Sequence, residues 1–202
     1  MAITYKTETE IPTEDCPQLA GILNAYWQHM TVTPEMMQTR LHSGSLFVAA
    51  YGGEKPRGLL ETLAFKTEGQ PSAIAADYRA ITDEGLWRSP EEHADTLLLV
   101  DITTDKETWN SGFGKQFIDA ALDFVARETP YQFVFTYTPA ERAIRQWHLK
   151  NGATETYHRI ICARPGHRTE DVCLMEYTKE IARRRPHEEK KSTPETLNPT
   201  GK

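Results

Sequence analysis

The sequence predicts an α/β fold in which helices cover a mixed sheet. Three observations carry that reading: β-forming runs cut by Gly and Pro turns before residue 66, apolar residues at helical spacing in several segments, and a strand, helix, strand, helix succession from Thr96 to Ala153. Strands joined through a helix run parallel, whereas tight turns join antiparallel neighbours.

Taken in order, AITYKTE is a short strand, and the segment from Pro12 to His29 then spaces Leu19, Ile22, Leu23 and Tyr26 as one helical face. TPEMMQTRLHSG reads as a second helix, with Thr33 as N-cap, Pro34 at the first helical position and Gly44 past the end. This pair is expected to cover one side of the sheet. SLFVAAYGGEKPRGLLETLAFK reads as a hairpin that turns between Gly52 and Pro56. Residues 67–94 interrupt the strands with a helical pattern, AIAADYRAITDEGLW, followed by RSPEEHAD, an insertion that could border a cleft.

TLLLVDITT is a continuous apolar run, as a strand buried on both faces requires, until it ends in Asp101, Thr103 and Thr104. The helix opening near Gly112 sets Phe113, Phe117, Ala121 and Phe124 on one side, where they suit packing on the sheet. YQFVFTYT is the next buried strand, and PAERAIRQWHLKNGA a helix entered at Pro139 and stopped by Asn151 and Gly152. ATETYHRIICARP and DVCLMEYTK complete the sheet as an antiparallel pair. From Ile181 the chain is nearly devoid of apolar residues and holds three prolines, so residues 1–180 are expected to form one domain and 181–202 a disordered tail. Its basic residues, Arg183, Arg184, Arg185, Lys190 and Lys191, read as a solvated charge run.

Composition narrows the function. A chain of 202 residues with 39% hydrophobic content can bury one core. A net charge of -6 and a pI near 5.7 argue against a surface built to neutralise phosphate backbones, so nucleic acid is not expected as a partner. No run reaches the roughly 20 apolar residues of a membrane span, and MAITYKTETE lacks the regions of a secretory signal, so a cytoplasmic location without membrane contact is expected. Cys16, Cys162 and Cys173 show no C-x-x-C spacing and read as reduced core thiols. His158 and His167 lack ligand spacing and no H-E-x-x-H occurs, so no metal is expected. Trp27, Trp87 and Trp147 read as packing residues.

The chemistry gathers at ETWNSGFGKQF, residues 107–117. A helix entrance leaves backbone N–H groups unsatisfied and turns the positive end of its dipole outward, which suits an anion. Gly112 and Gly114 let the backbone approach such an anion, Asn110 tolerates unusual dihedrals and Ser111 adds a hydroxyl. The same glycines also suit close packing of helix on sheet, and the segment alone leaves both readings open. It is neither a P-loop nor the fingerprint of a first Rossmann strand.

The element order, with LLLVDITT leading into WNSGFGKQFIDAALDFVA, resembles the GNAT N-acetyltransferase superfamily over roughly residues 2–178. That family's acyl-CoA signature is Arg or Gln, two residues, Gly, one residue, then Gly or Ala. Gly112 and Gly114 match it and Trp109 does not. AERAIRQWHLKNGA looks like the family's fourth helix, with His148 where a Tyr usually stands. The enlarged insertion, HLKNGA and ARPGH resemble a GNAT subgroup in which a His and a Thr serve acyl-CoA decarboxylation or acyl delivery to a carrier.

The resemblance implies a central mixed, largely antiparallel sheet with a splayed parallel central pair and helices on both faces. It also implies acetyl-CoA, or another acyl-CoA, as co-substrate. Pantetheine would run along Val100, Ile102 and Thr104, opposite the strand ending Thr136, Tyr137 and Thr138. The pyrophosphate would sit on the N–H groups of Asn110, Ser111, Gly112, Phe113, Gly114 and Lys115. His148 would return a proton to the departing thiolate and Thr136 would bond the acyl carbonyl, while Asp101, or Glu61, would accept the amine's proton. The activity so implied is transfer of acetyl to an amine of a small molecule, with decarboxylation, carrier acylation and noncatalytic acyl-CoA sensing as alternatives. It leaves room for a homodimer.

Overall fold

Hairpin, βαβ and antiparallel closure appear in the order the patterns require. The computed structural model describes residues 3–26, 31–68, 92–139, 143–162 and 170–186, without the side chains of 157–162 and 170–172. Strands β1 (Ile3–Thr7), β2 (Phe47–Gly52), β3 (Lys55–Phe65), β4 (Thr96–Thr104), β5 (Phe133–Pro139), β6 (Thr154–Cys162) and β7 (Glu170–Glu176) form one sheet in the order β1-β2-β3-β4-β5-β7-β6. The pair β4/β5 is parallel and every other pair antiparallel. The β2/β3 hairpin turns through Gly53 and Glu54, with Gly53 at φ 69°.

Helices α1 (Cys16–Tyr26) and α2 (Pro34–Leu41) cover one face of the sheet. Leu19 and Leu23 from α1 and Met37 and Leu41 from α2 meet Phe47, Ala49, Tyr51 and Leu59 there. Thr33 caps α2, its Oγ1 accepting from the Met36 N–H at 3.2 Å, with Pro34 at the first turn. The opposite face takes α3 (Phe113–Glu128), α4 (Ala143–Lys150) and α5 (Thr178–Arg184). Phe117 of α3 is fully buried, which contributes roughly 1.5–3 kcal/mol for such a side chain. Gly58 of β3 permits this approach: a Cβ there would stand 3.1 Å from the Phe117 ring and 3.3 Å from the Thr103 carbonyl.

Four expectations need correction. The first helix starts at Cys16, after a 3-10 turn at Thr13–Asp15, rather than at Pro12. Pro139 does not enter a helix but closes β5, paired with Val172. The disordered tail does not begin at 181, because Ile181 is fully buried in α5 and Arg184 grips Asp119 at 2.8 Å and Asp123 at 3.0 Å on α3. Arg183 and Arg184 both pair with Glu180 and Arg185 donates to the Tyr131 carbonyl, so these three are tied to the fold rather than simply solvated, while Lys190 and Lys191 lie outside the described residues. The helical pattern of residues 74–87, with Trp87, and the chain beyond 186 lie outside the described residues, as do Trp27 and the side chains of Cys162, His158 and His167.

Candidate active site

Bending of β4 creates the site. Glu61 of β3 pairs with Asp101, but Thr62 pairs with Leu99, so Val100 is an extra residue, a bulge that kinks the strand. Parallel pairing between β4 and β5 ends at Leu99 and Thr136. Beyond that rung β4 stays paired to β3 as far as Thr104, and β5 stays paired to β7 as far as Pro139. The facing edges of Val100–Thr104 and Tyr137–Pro139 have therefore parted, which leaves a fork. Thr136 closes its apex, donating from Oγ1 to the Leu99 carbonyl at 3.0 Å. On the β5 arm Thr138 is 1% exposed, and its Oγ1 has no hydrogen-bond partner among the described residues.

β4 leads from the fork straight into the mouth of α3. Asn110 and Gly112 both take left-handed backbone conformations, at φ 60° and 84°. Such changes of hand bring successive N–H groups to one side of a turn and make an anion-binding concavity. A Cβ on Gly112 would meet nothing within 4 Å, so its backbone conformation is what requires glycine. The Phe113 N–H donates to Ser111 Oγ at 3.3 Å and that of Gln116 to the Gly112 carbonyl at 3.2 Å. Among the described residues the N–H groups of Gly112, Gly114 and Lys115 meet no acceptor. Lys115 itself turns outward, its Nζ 2.5 Å from Asp119. A recess of about 350 Å³ adjoins the mouth on the β1 side, lined in part by Arg57, Ser111, Phe113 and Gln116.

Trp109 stands 48% exposed before this turn, its indole N–H donating to the Thr104 carbonyl at 3.0 Å and Lys106 Nζ 6.0 Å from its ring. The side chain thus ties the end of β4 to the turn. Ile102 packs into the core beneath α3. Trp147 of α4 crosses the same face and would be 3.8 Å from a Cβ on Gly114.

Asp101 lies just beyond the apex on the opposite face, 7% exposed and hydrogen-bonded to the fully buried Glu61. Arg40, the charged member of the Met37, Arg40, Leu41 stripe of α2, places Nη1 3.1 Å and 3.4 Å from the two Glu61 oxygens. Burial, reinforced by the neighbouring Asp101 charge, pushes the Glu61 carboxyl up to about 8 despite Arg40. Sequence reading named Glu61 and Asp101 but missed Arg40. The signal was there, a charge within an apolar helical stripe.

His148 is brought elsewhere. It is 2% exposed, with Nδ1 2.7 Å from the Tyr177 hydroxyl and its ring edge-on to Trp147. Desolvation brings its pKa down to about 4, so the imidazole is neutral at physiological pH. Tyr177 thus holds the ring beneath α4, and burial keeps it in the neutral form, with one N–H, rather than as imidazolium. Thr136 likewise has its one hydroxyl proton committed to Leu99. Asp101 lies on β4 beside the apex and the α3 mouth follows the end of that strand, while His148 and Tyr177 form a pair under α4. No signal in the sequence marks Tyr177 as that partner.

Among the described residues no cluster of three His, Cys, Asp or Glu side chains could hold a metal, and no helix is long and apolar enough to cross a membrane. Cys16 and Cys173 are buried free thiols.

No family model matches the sequence, and no curated protein does. Solved structures match over most of the chain. An acetyltransferase of the GNAT family from Streptococcus pneumoniae superposes with a TM-score of 0.60 at 14% identity, covering 87% of this chain and 98% of the other. The ribosomal-protein-S18-alanine N-acetyltransferase of Escherichia coli gives 0.59 at 13% identity, covering 87% and 92%. The yncA protein of Salmonella typhimurium, solved with its cofactor acetyl-CoA, gives 0.61 at 13% identity, covering 87% and 93%. With the seven-stranded order and the parted parallel pair, these likenesses show that the chain has the fold of the GNAT N-acetyltransferases.

Proposed function

We propose that the chain is an acyl-CoA-dependent acyltransferase that moves an acetyl group from acetyl-CoA to an amine of a small molecule. The observation that carries this reading is the fork between β4 and β5 continuing into a left-handed turn whose N–H groups lack acceptors. The parted edges of Ile102 and Thr104 offer peptide groups to an amide-bearing arm such as pantetheine. The amides from Asn110 to Lys115 offer donors and a helix dipole to a pyrophosphate. The yncA protein carries acetyl-CoA on the same fold, which supports that choice of co-substrate.

Amine acylation needs a neutral nucleophile, so a proton must leave the ammonium form. Asp101, beside the apex, is the acceptor in this reading, backed by Glu61. Thr136 holds the apex shut through Leu99, and His148 packs α4 through Tyr177. The amide donors of the fork are left to polarise the thioester carbonyl, as backbone donors do elsewhere in acyl transfer.

Calorimetric titration with acetyl-CoA, malonyl-CoA and dephospho-CoA tests the reading. Wild type is expected to bind acetyl-CoA, and Gly112→Glu, which adds strain and a carboxylate at the mouth, to lose at least tenfold in affinity while still folded. Equal binding by both proteins would remove the α3 mouth from the cofactor site. Release of free CoA with a panel of primary amines then tests the transfer itself.

A further inference from the structure

Three elements meet at a buried cluster in which the role of Arg40, and of the contact between two carboxyls, goes beyond the proton acceptor assigned above. α2 supplies Arg40, β3 supplies Glu61 and the bulged β4 supplies Asp101, at 4%, 0% and 7% exposure. Two carboxylates in contact cannot readily both be ionised out of water, and one arginine can balance only one of them. The hydrogen bond between the two carboxyls itself requires a proton, and counted over Arg40, Glu61 and Asp101 alone that proton leaves the trio formally neutral and its loss leaves one negative charge. Arg40 and Asp101 are the charged groups that act on Glu61. The rest of the layer is mostly apolar: α1 contributes Leu19 and Leu23, and β2 contributes Phe47 and Ala49. Among the described residues, its ionisable groups also include the buried Cys16 thiol, the Tyr51 hydroxyl, which donates to Asp15 at 2.7 Å, and Glu8, which accepts from the Phe47 N–H at 3.2 Å.

The cluster adjoins the fork through β4. Asp101 is its member nearest solvent and the first β4 residue paired to β3 beyond the bulge. Thr103 pairs with Leu59 of the same layer; the residue is 3% exposed, and its buried Oγ1 has no hydrogen-bond partner among the described residues.

We propose that Glu61 and Asp101 share one exchangeable proton, that Arg40 is the positioning residue that sets when it is held, and that this pair receives the proton of the acceptor amine. The inference rests on the amine-acetylation reading. In the step, the amine nitrogen bonds to the thioester carbonyl carbon and the carbon–sulfur bond breaks. The sulfur leaves as thiolate and takes a proton from solvent, and the proton lost by nitrogen passes to Asp101 and so to the pair. The cluster returns from one negative charge to neutrality and is reset by loss of that proton to water. An ammonium-bearing acceptor suits the negative state, so the favoured substrate class is a small cation.

Two measurements separate this inference from the reading beneath it. Infrared titration of the carboxyl bands, with no acceptor present, should show one buried protonated carboxyl in wild type that ionises near pH 8 and is absent in Glu61→Gln. The pH–rate profile with any amine that turns over should have its rising limb at the same pH. The limb should move down by about one unit or more in Glu61→Gln, where Arg40 faces a lone Asp101, and up by a similar amount in Arg40→Met, with partial rescue in Arg40→Lys. Turnover with limbs that do not move, or two carboxyls ionising in the ordinary range, would overturn the shared proton while leaving the acetyltransferase reading in place. Absence of turnover with every amine would remove the reaction and the pair's role together, whatever the carboxyl bands show. The Glu61→Gln arm is near-isosteric and serves if the Arg40 variants do not fold.

Discussion

The Arg40–Glu61–Asp101 cluster and the His148–Tyr177 pair lie on opposite faces of one sheet and are buried alike, yet the first gathers charge and the second excludes it. Glu61 has a guanidinium at 3.1 Å and a second carboxyl beside it, so ionisation remains within reach near neutrality. His148 has a phenol hydroxyl at 2.7 Å, and desolvation holds its ring neutral down to about pH 4. The phenol is itself pushed well above its ordinary range, first by burial. A hydrogen bond satisfies a buried ring without charging it, whereas a buried ion needs a counter-ion. The charged cluster includes Asp101, beside the apex of the fork, where the proposed proton exchange takes place.

The largest expected effect separates the two sites by stability. Glu61→Leu removes the carboxyl that both Arg40 and Asp101 contact, breaking a buried charged network, and should cost about 3–5 kcal/mol. His148→Leu leaves one neutral hydroxyl unpaired and should cost about 1–3 kcal/mol. Urea unfolding of both variants checks the order; a costlier His148 change would mean that the packing of α4 outweighs the ion pair.

The pH dependence sharpens the contrast because the signs oppose. The folded pKa of Glu61 lies above its ordinary value, so its contribution is full below about 4.5 and is lost as pH rises towards 8. The folded pKa of His148 lies below its ordinary 6.5, so its contribution is full above that and is lost as pH falls towards 4. Between about 4.5 and 6.5 the two partly cancel. Glu61→Gln should then show melting temperature rising more steeply with pH in this window than wild type, and His148→Gln should show it falling. Thermal melts at four or five pH values decide this, and parallel curves for all three proteins would deny both shifts.

Much of this arrangement was legible in the chain. The apolar run of β4 announced a strand buried on both faces, and the aromatic stripe of α3 announced its packing. The glycine turn announced a special backbone, and Gly112 at φ 84° meets that expectation. What stayed hidden depends on register. Asp101 meets Glu61 because one extra residue at Val100 changes which β4 residue stands opposite β3, and no local pattern marks that bulge. His148 meets a tyrosine 29 positions away, and Arg184 meets carboxylates 61 and 65 positions away, distances at which helical spacing says nothing. Pro139 resembled a helix start because proline favours first turns, yet it also fits the last residue of β5, beyond the point where β4 pairs with it.

The smallest expected effect isolates the hydrogen bond from the burial. Tyr177→Phe keeps the ring and removes the hydroxyl that faces His148 Nδ1, so it should cost only about 1 kcal/mol. Since desolvation is the cause of the depressed His148 pKa, deleting the hydroxyl should leave His148 titrating near 4, as followed by its imidazole proton resonances. A return towards 6.5 would show that water or a counter-ion enters beneath α4 once the hydroxyl is gone. The face that excludes charge would then do so through Tyr177 rather than through the depth of its packing, and the contrast with the Arg40 cluster would rest on one hydrogen bond.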